Sequence, residues 1–408
     1  MLKRFLLACV ALVLITFVIG LLFLVIRSSQ AEAKIDAIQA AGDPVSLSDL
    51  EPTGVTTTNN MATYLQDHGD DADALVNETL ETLHGTDFDW VDGLPEAKKK
   101  QVERSVAKYP DLFGALDLAS QCTRCDCGLD YSVPINDFSA GMLQGNGVMR
   151  TFARVSDIRT RSLAMQGKYD EAAASSLTQL RICRAQDELP TLFGLLLNIA
   201  CRQGAMNNLN ALLQEVKLSE ATHAAIETEL AQHDAMEMYV DALKSERACG
   251  IEMIGDQLGL IAKVTGMLGN YLDVMQQEID LGAAEHHKIQ GYQPVTPMAT
   301  ASMLTPAIEA SRKAMERSRT LSRAIRVLNE IKRRENLDSV PVNPAITLAE
   351  LGLAAEAITD PYTGRPLISV STDEGWMIYG VGDNLVDDAE LLFHHSDDGL
   401  GPVVKMPE

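Results

Sequence analysis

The sequence predicts a mainly α-helical protein with a small β element close to its C-terminus. Three observations carry that expectation. From about residue 61 to 336, Ala, Leu, Met, Gln and Glu outweigh the β-branched residues, and strand-like alternation is scarce. Gly and Pro cut this stretch into pieces of helical length. Two β-rich runs, 367–371 and 376–381, follow it, with Asp373-Glu374-Gly375 between them as a hairpin loop. Composition bounds the rest. The 408 residues are 46% hydrophobic and carry 57 acids against 34 bases, a formal charge of −23. Such a chain is too apolar to be disordered, and too acidic to coat nucleic acid through its overall field. No nucleic-acid partner is expected. Seven Cys are too few for a disulfide scaffold of this length.

The chain divides into four parts. Residues 1–30 read as a signal-anchor. Phe5 to Ile26 is an apolar run of 22 residues without a charge or proline, long enough for a hydrocarbon core of roughly 30 Å. Lys3 and Arg4 precede it, and Arg27 follows. Glu32, Lys34 and Asp36 then nearly cancel, which favours the N-terminus inside. The alternative is a cleaved signal peptide with an Ala31-Glu32-Ala33 site, although the apolar run exceeds the usual length. The expected location is the inner membrane, as a single-pass protein with its bulk outside the cytoplasm. Residues 31–60 read as linker, on Pro44, Pro52, Gly54 and the polar run 57–60.

Residues 61–300 form the helical body. Helices are expected near 72–84, 95–108, 111–122, 139–166, 170–187, 190–215, 219–244 and 246–283. Gly167-Lys168-Tyr169-Asp170-Glu171-Ala172-Ala173 looks like the turn of a tetratricopeptide-type hairpin, but no second copy follows at about 34 residues. An ordinary helical hairpin is the favoured reading. Residues 301–408 hold a long amphipathic helix near 306–336, the hairpin and an acidic tail. Thr305-Pro306 is a helix start, and Ala314, Ser318, Leu321, Ile325 and Leu328 form one apolar stripe. From Arg312 to Arg334 this helix holds nine Lys/Arg and two Glu. That basic stretch could meet an anionic partner, or the acidic remainder of the same chain. A lone hairpin is marginal, so it must dock on a helix, and 306–336 is the obvious partner.

One C-terminal pattern is specific. Asp360-Pro361-Tyr362-Thr363-Gly364-Arg365-Pro366-Leu367 is followed by the aromatic strand from Trp376 to Val381 and by Gly382-Asp383 through Asp388. These residues resemble a segment of uncharacterised membrane-anchored proteins of planctomycete-type bacteria. The likeness extends loosely over roughly 100–400 and is sharp over 359–388. The layout is also similar to the head of type II secretion major pseudopilins. However, this chain inserts about 280 residues between membrane helix and head, and it lacks the prepilin cleavage motif. The resemblance implies a location and an architecture, not an activity.

Two clusters are candidate sites. Cys122, Cys125 and Cys127 have spacing that suits a disulfide, a redox pair, a metal site lacking its fourth ligand, or simply free thiols. Asp383, Asp387 and Asp388 are carboxylates on an irregular loop, which suits calcium, and the pseudopilin likeness implies calcium at this place too. A solvated acidic tail is the alternative. No catalytic motif occurs with its structural context. The functional expectation is therefore a membrane-anchored, non-catalytic scaffold or interaction module with an envelope protein as partner. The alternative is a thiol-redox or metal-binding protein centred on Cys122, Cys125 and Cys127.

Overall fold

The structure is a computed structural model that describes residues 25–83, 94–187, 191–289, 305–338, 340–373, 375–387 and 398–400. The apolar run Phe5–Ile26, apart from Val25 and Ile26, lies outside the described residues, as does Asp388. No described helix is long and apolar enough to cross a membrane. Among the described residues the first element is α1, helical over 25–40. It continues through α2 (Met61–Leu65), α3 (Gly69–Leu83), α4 (Glu96–Val106), α5 (Pro110–Ala119), α6 (Ile135–Met165) and α7 (Tyr169–Gln186). Then come α8 (Leu192–Glu215), α9 (Glu220–Leu230), α10 (Glu237–Thr265), α11 (Met267–Gly282), α12 (His286–Ile289) and α13 (Thr305–Asp338). The C-terminal sheet holds β1 (Ile368–Thr372), β2 (Gly375–Gly380) and β3 (Asp398–Leu400) in the order β1-β2-β3, antiparallel throughout.

Local chemistry sets the helix ends. Pro110 occupies the first turn of α5, where its missing N–H costs nothing, with Asp111 beside it. The Thr191 hydroxyl accepts from the Gly194 N–H at 3.0 Å and starts α8. Ser219 caps α9 in the same way. The α6–α7 hairpin turns at Gly167, whose φ of 73° suits a residue without a Cβ. Two expected long helices are broken. The stretch 246–283 divides at Gly266, again left-handed with φ 80°. The stretch 219–244 ends at Leu230, passes through a 3-10 turn and restarts at Glu237. That break has a use: Asp234, freed from helical bonding, offers both its carbonyl and its carboxylate to Arg319.

Three large apolar clusters and a small fourth around Leu47, Tyr131, Ile135 and Phe138 build the body among the described residues, and α13 belongs to two of the large ones. The first joins α7, α8 and α9 to Leu321, Ile325, Leu328 and Ile331 of α13 and to Leu367, Trp376 and Ile378 of the sheet region. The second joins α1, the start of α8, α10 and α11 to Ile308 and Met315 at the front of α13. The third holds α2–α5 against α6 and α7. The expected stripe on α13 is present, and Ile325 and Leu328 are fully buried, each worth about 2–3 kcal/mol of transfer free energy. Yet the opposite face is buried as well. Arg312, Glu316, Arg319, Arg323, Arg326 and Asn329 are all inside.

The basic character of α13 is thus resolved within the chain. Arg323 is 1% exposed and donates from Nε to both Asp234 oxygens at 3.0 Å, from Nη2 to Glu285 at 3.2 Å, and from Nη1 to the Thr359 carbonyl at 2.6 Å. Arg319 bonds Asp234, Glu316 and Glu285. Arg312 donates to the carbonyls of Leu281 and Ala284, at the C-terminal end of α11, where cations are favoured. Arg326 pairs with Glu227. Burial would raise Glu285, but the hydrogen bonds from Arg323 and Lys288 hold it below the usual carboxylate range. The sheet docks on the same helix, and the Trp376 indole N–H donates to Glu335 at 3.3 Å.

Residues 31–60 are also packed. Asp43 pairs with Lys244 and with the buried Arg247, Leu47 is buried, and the Asn60 side chain caps α2.

Removing one partner of a buried ion pair leaves a charge uncompensated. Asp234→Ala should therefore lower stability by about 3–5 kcal/mol in urea denaturation. Arg333→Ala, which breaks part-exposed pairs with Glu330 and Glu220, should cost about 1 kcal/mol or less. His233, beside Asp234, supplies a pH test. Burial pushes His233 down to about 4, against the pull of the Glu229 carboxylate at 3.2 Å. The unfolded histidine titrates near 6.5, so the unfolded chain takes up its proton first. The contribution is present above about pH 6.5 and is lost on acidification towards 4, by up to about 3 kcal/mol. Buried Glu316, which is raised, works in the opposite sense but is common to both proteins when wild type is compared with His233→Gln. The wild type should lose more stability between pH 7 and pH 4.5 than this variant, read as urea midpoints.

Candidate functional site

The cysteine cluster sits on the loop after α5, and two asparagines at the start of α2 pin it. The Asn60 carboxamide oxygen accepts from the Asp126 N–H at 2.9 Å, and its nitrogen donates to the Asp126 carbonyl at 3.0 Å. The Asn59 oxygen accepts from the Thr123 N–H at 2.8 Å. This staple brings the Cys125 and Cys127 sulfurs to 3.6 Å. Cys122 turns elsewhere, towards the carbonyls of Thr58 and Leu118. All three are free thiols. The facing Cys125 thiol holds Cys127 below the ordinary thiol value, against burial and the nearby Asp126 charge. Burial pushes Cys122 up.

The acidic loop is tied down by the chain itself. The Lys313 ammonium lies 2.9 Å from an Asp383 oxygen and holds that carboxyl below its usual range. The Tyr379 hydroxyl donates to Asp387 at 3.1 Å. A lysine thus stands against Asp383 where the calcium expectation calls for an ion. Among the described residues, no three His, Cys, Asp or Glu side chains converge as a metal-binding set.

The Asp-Pro-Tyr-Thr-Gly segment proves to be a structural knot. Asp360 is 2% exposed. Its oxygens accept from the Tyr362 N–H at 2.9 Å, the Thr363 hydroxyl at 2.8 Å and the Val381 N–H at 3.4 Å. A Cβ on Gly380 would lie 2.7 Å from an Asp360 oxygen, so the strand can pass the carboxylate only as glycine. The carbonyl of Thr359 receives Arg323, which fastens the knot to α13.

A cleft unforeseen from the sequence lies between α6 and α8, with α7 as its floor, and has a volume of about 270 Å³. Arg150, Arg154, Asp157 and Arg161 line one side along α6. Gln179 comes from α7, and Cys201, Gly204 and Asn208 come from α8. Arg161 is paired with Asp157, and Asn208 donates to Asp157 at 2.9 Å. Gln179 donates to the Cys201 carbonyl at 2.7 Å. Arg150 and Arg154 are exposed. The sequence signal was present as basic residues at i, i+4 and i+11 on one helix, but a solvated face gives the same pattern. Only the packing of α8 across α6 turns it into a cleft.

No protein-family model, curated protein or solved structure matches this chain.

The cysteines differ enough to be ranked chemically. Cys127 is half-buried and lowered, whereas burial pushes Cys201 up to about 11 and Cys249 up to about 12. Iodoacetamide at mildly alkaline pH should label Cys127 ahead of Cys122, Cys183, Cys201 and Cys249 in peptide mapping of the folded protein.

Proposed function

We propose that this chain is a single-pass, membrane-tethered scaffold or interaction module, with its helical body held at the extracytoplasmic face of the inner membrane and an envelope protein as its partner. The observation that carries the reading is how α1 is held. Residue 25 belongs to the end of the Phe5–Ile26 apolar run, and the described helix that includes it is locked to α10 and α11. Lys34 reaches Asp273 at 2.5 Å and the Gly269 carbonyl at 3.1 Å. Arg27 donates to the Thr265 carbonyl at 2.6 Å, and Lys263 pairs with Glu32 at 3.1 Å. Ala31 and Ile38 are buried against the same helices. A body fastened this way follows its anchor directly, without a slack tether.

The polar ties are individually exposed and modest, so the apolar contacts supply most of the hold. The succession α6, α7 and α8, turned at Gly167, is the part that a tetratricopeptide-like groove would use. The sheet supports a pseudopilin-like head in layout, a long helix followed by an Asp-Pro turn and antiparallel strands. A second reading, thiol-redox chemistry, is favoured by one observation, the 3.6 Å approach of Cys125 and Cys127.

Carbonate extraction and protease protection in spheroplasts test the first reading. The full chain should stay in the membrane pellet and be digested from outside. Release by carbonate, or protection from protease in intact spheroplasts, contradicts it.

A further inference from the structure

The Phe5–Ile26 apolar run meets the folded body at one place, the turn between α10 and α11. Arg27, the first residue past the run, donates to the Thr265 carbonyl at 2.6 Å. Gly266 leaves room for it: its φ of 80° suits glycine, and a Cβ there would run into the Arg27 guanidinium. The inner side of the turn is core, with Ala262 fully buried and Leu268 nearly so, in the same cluster as Ala31 of α1. The turn is therefore fixed within one side-chain length of the point where the apolar run ends.

The outer side of this end is apolar and uncovered. Val25 is 64% exposed, Ile26 47% and Ile261 62%. Ile261 stands one helical turn before Thr265, whose hydroxyl donates to the Ile261 carbonyl at 2.8 Å, and both residues lie on the exposed face. Beside them Lys263 is matched by Glu32, and Lys34 by Asp273. A lipid headgroup layer would meet ion pairs at these four residues, not bare acids, although the whole chain carries −23.

We propose that the α10–α11 turn is a second membrane contact, in which Ile261, with Val25 and Ile26, lies in the interfacial layer of the bilayer that holds the apolar run. The proposal rests on the anchor reading and adds to it the face on which the body sits. Depth supports lipid as the occupant. The headgroup layer is roughly 5–7 Å thick on each side of the hydrocarbon core, and four helical residues rise about 6 Å. With Arg27 at the inner edge of that layer, both Thr265 and Ile261 fall within reach of it. Continuity supports lipid too. The patch runs through Val25 and Ile26 into the apolar run, so a protein covering it would have to occupy the point where the chain enters the membrane.

Quenching of added tryptophans by brominated lipid tests the proposal. The full chain is reconstituted in phosphatidylethanolamine–phosphatidylglycerol vesicles, with bromine near the headgroup in one set and near the acyl-chain end in another. Each variant is read against wild type, which supplies the background of Trp90 and Trp376. Ile261→Trp should lose emission in the first set and shift to shorter wavelength. Met253→Trp, on the same helix about 12 Å further from the turn, should do neither. Both side chains are exposed, so the fold should tolerate the exchange. Phe17→Trp, within the apolar run, reports the anchor separately through the second set. Quenching of Phe17→Trp but not of Ile261→Trp overturns the proposal and leaves the anchor standing. Quenching of neither overturns both, and quenching of Ile261→Trp alone upholds the lipid contact while removing the anchor. A blue shift of Ile261→Trp without quenching means that protein covers the face, a second copy included, and overturns the proposal. Equal quenching of Met253→Trp also overturns it, since the contact would then not belong to the turn.

Discussion

Four of the nine basic side chains between Arg312 and Arg334 are buried (Arg312, Arg319, Arg323 and Arg326) and must find partners inside a strongly acidic protein, and the body is arranged around that requirement. Helix α13 is not an amphipathic element resting on a surface. It crosses two of the apolar clusters and buries charge on the face opposite its apolar stripe. Buried guanidinium groups are tolerable only when each donor finds an acceptor. Here the acceptors come from several elements. Asp234 comes from the break after α9, Glu285 from the turn after α11, Glu316 from α13 itself, and the Thr359 carbonyl from the C-terminal knot. Each of these elements is held in place by its bond to the same two arginines. The requirement therefore explains why the helix breaks where it does and why the Asp-Pro segment sits where it does.

Much of the secondary structure was legible in the sequence because it depends on local signals. The Pro110 start, the Thr191 and Ser219 caps, the Gly167 turn and the β-hairpin are all short-range chemistry. The docking of the hairpin on the long helix was legible too, since a lone hairpin is marginal. The breaks at 231–236 and Gly266 were not. Nothing local at Asp234 forbids a helix; its release is worthwhile only when Arg319 and Arg323 arrive from about 85 residues away. The stripe on α13 is legible in the sequence, and so is the preference of its basic residues for the acidic remainder of the chain, but not that this face is buried. Periodicity reports which residues are apolar, not whether the polar ones find buried partners.

The candidate sites followed the same division. The cysteine spacing suggested a cluster of three, and the fold delivers a pair with one thiol turned away. That outcome depends on Asn59 and Asn60, more than 60 residues distant from the loop they staple. Clustered carboxylates suggested calcium, and what the fold adds is a pairing of Asp383 with Lys313 and of Asp387 with Tyr379. The sharpest motif in the sequence, from Asp360 to Leu367, acts as architecture: a carboxylate that organises its own turn and admits Gly380 alongside. The cleft between α6 and α8 left only a row of basic residues on α6 in the sequence, which a solvated face shows equally, and it exists because α8 packs across α6.

The buried charged face of α13 is the centre of stability, from which the outer helices and the sheet are hung. Native-state hydrogen exchange tests that claim most directly. Amides of α13 between Arg319 and Ile331 should exchange only through global unfolding, and those of α3 to α5, which lie in a cluster without α13, should open at lower cost. Faster exchange in α13 than in α3 to α5 would contradict the account, because the charged helix would then be a late addition to a body that stands without it.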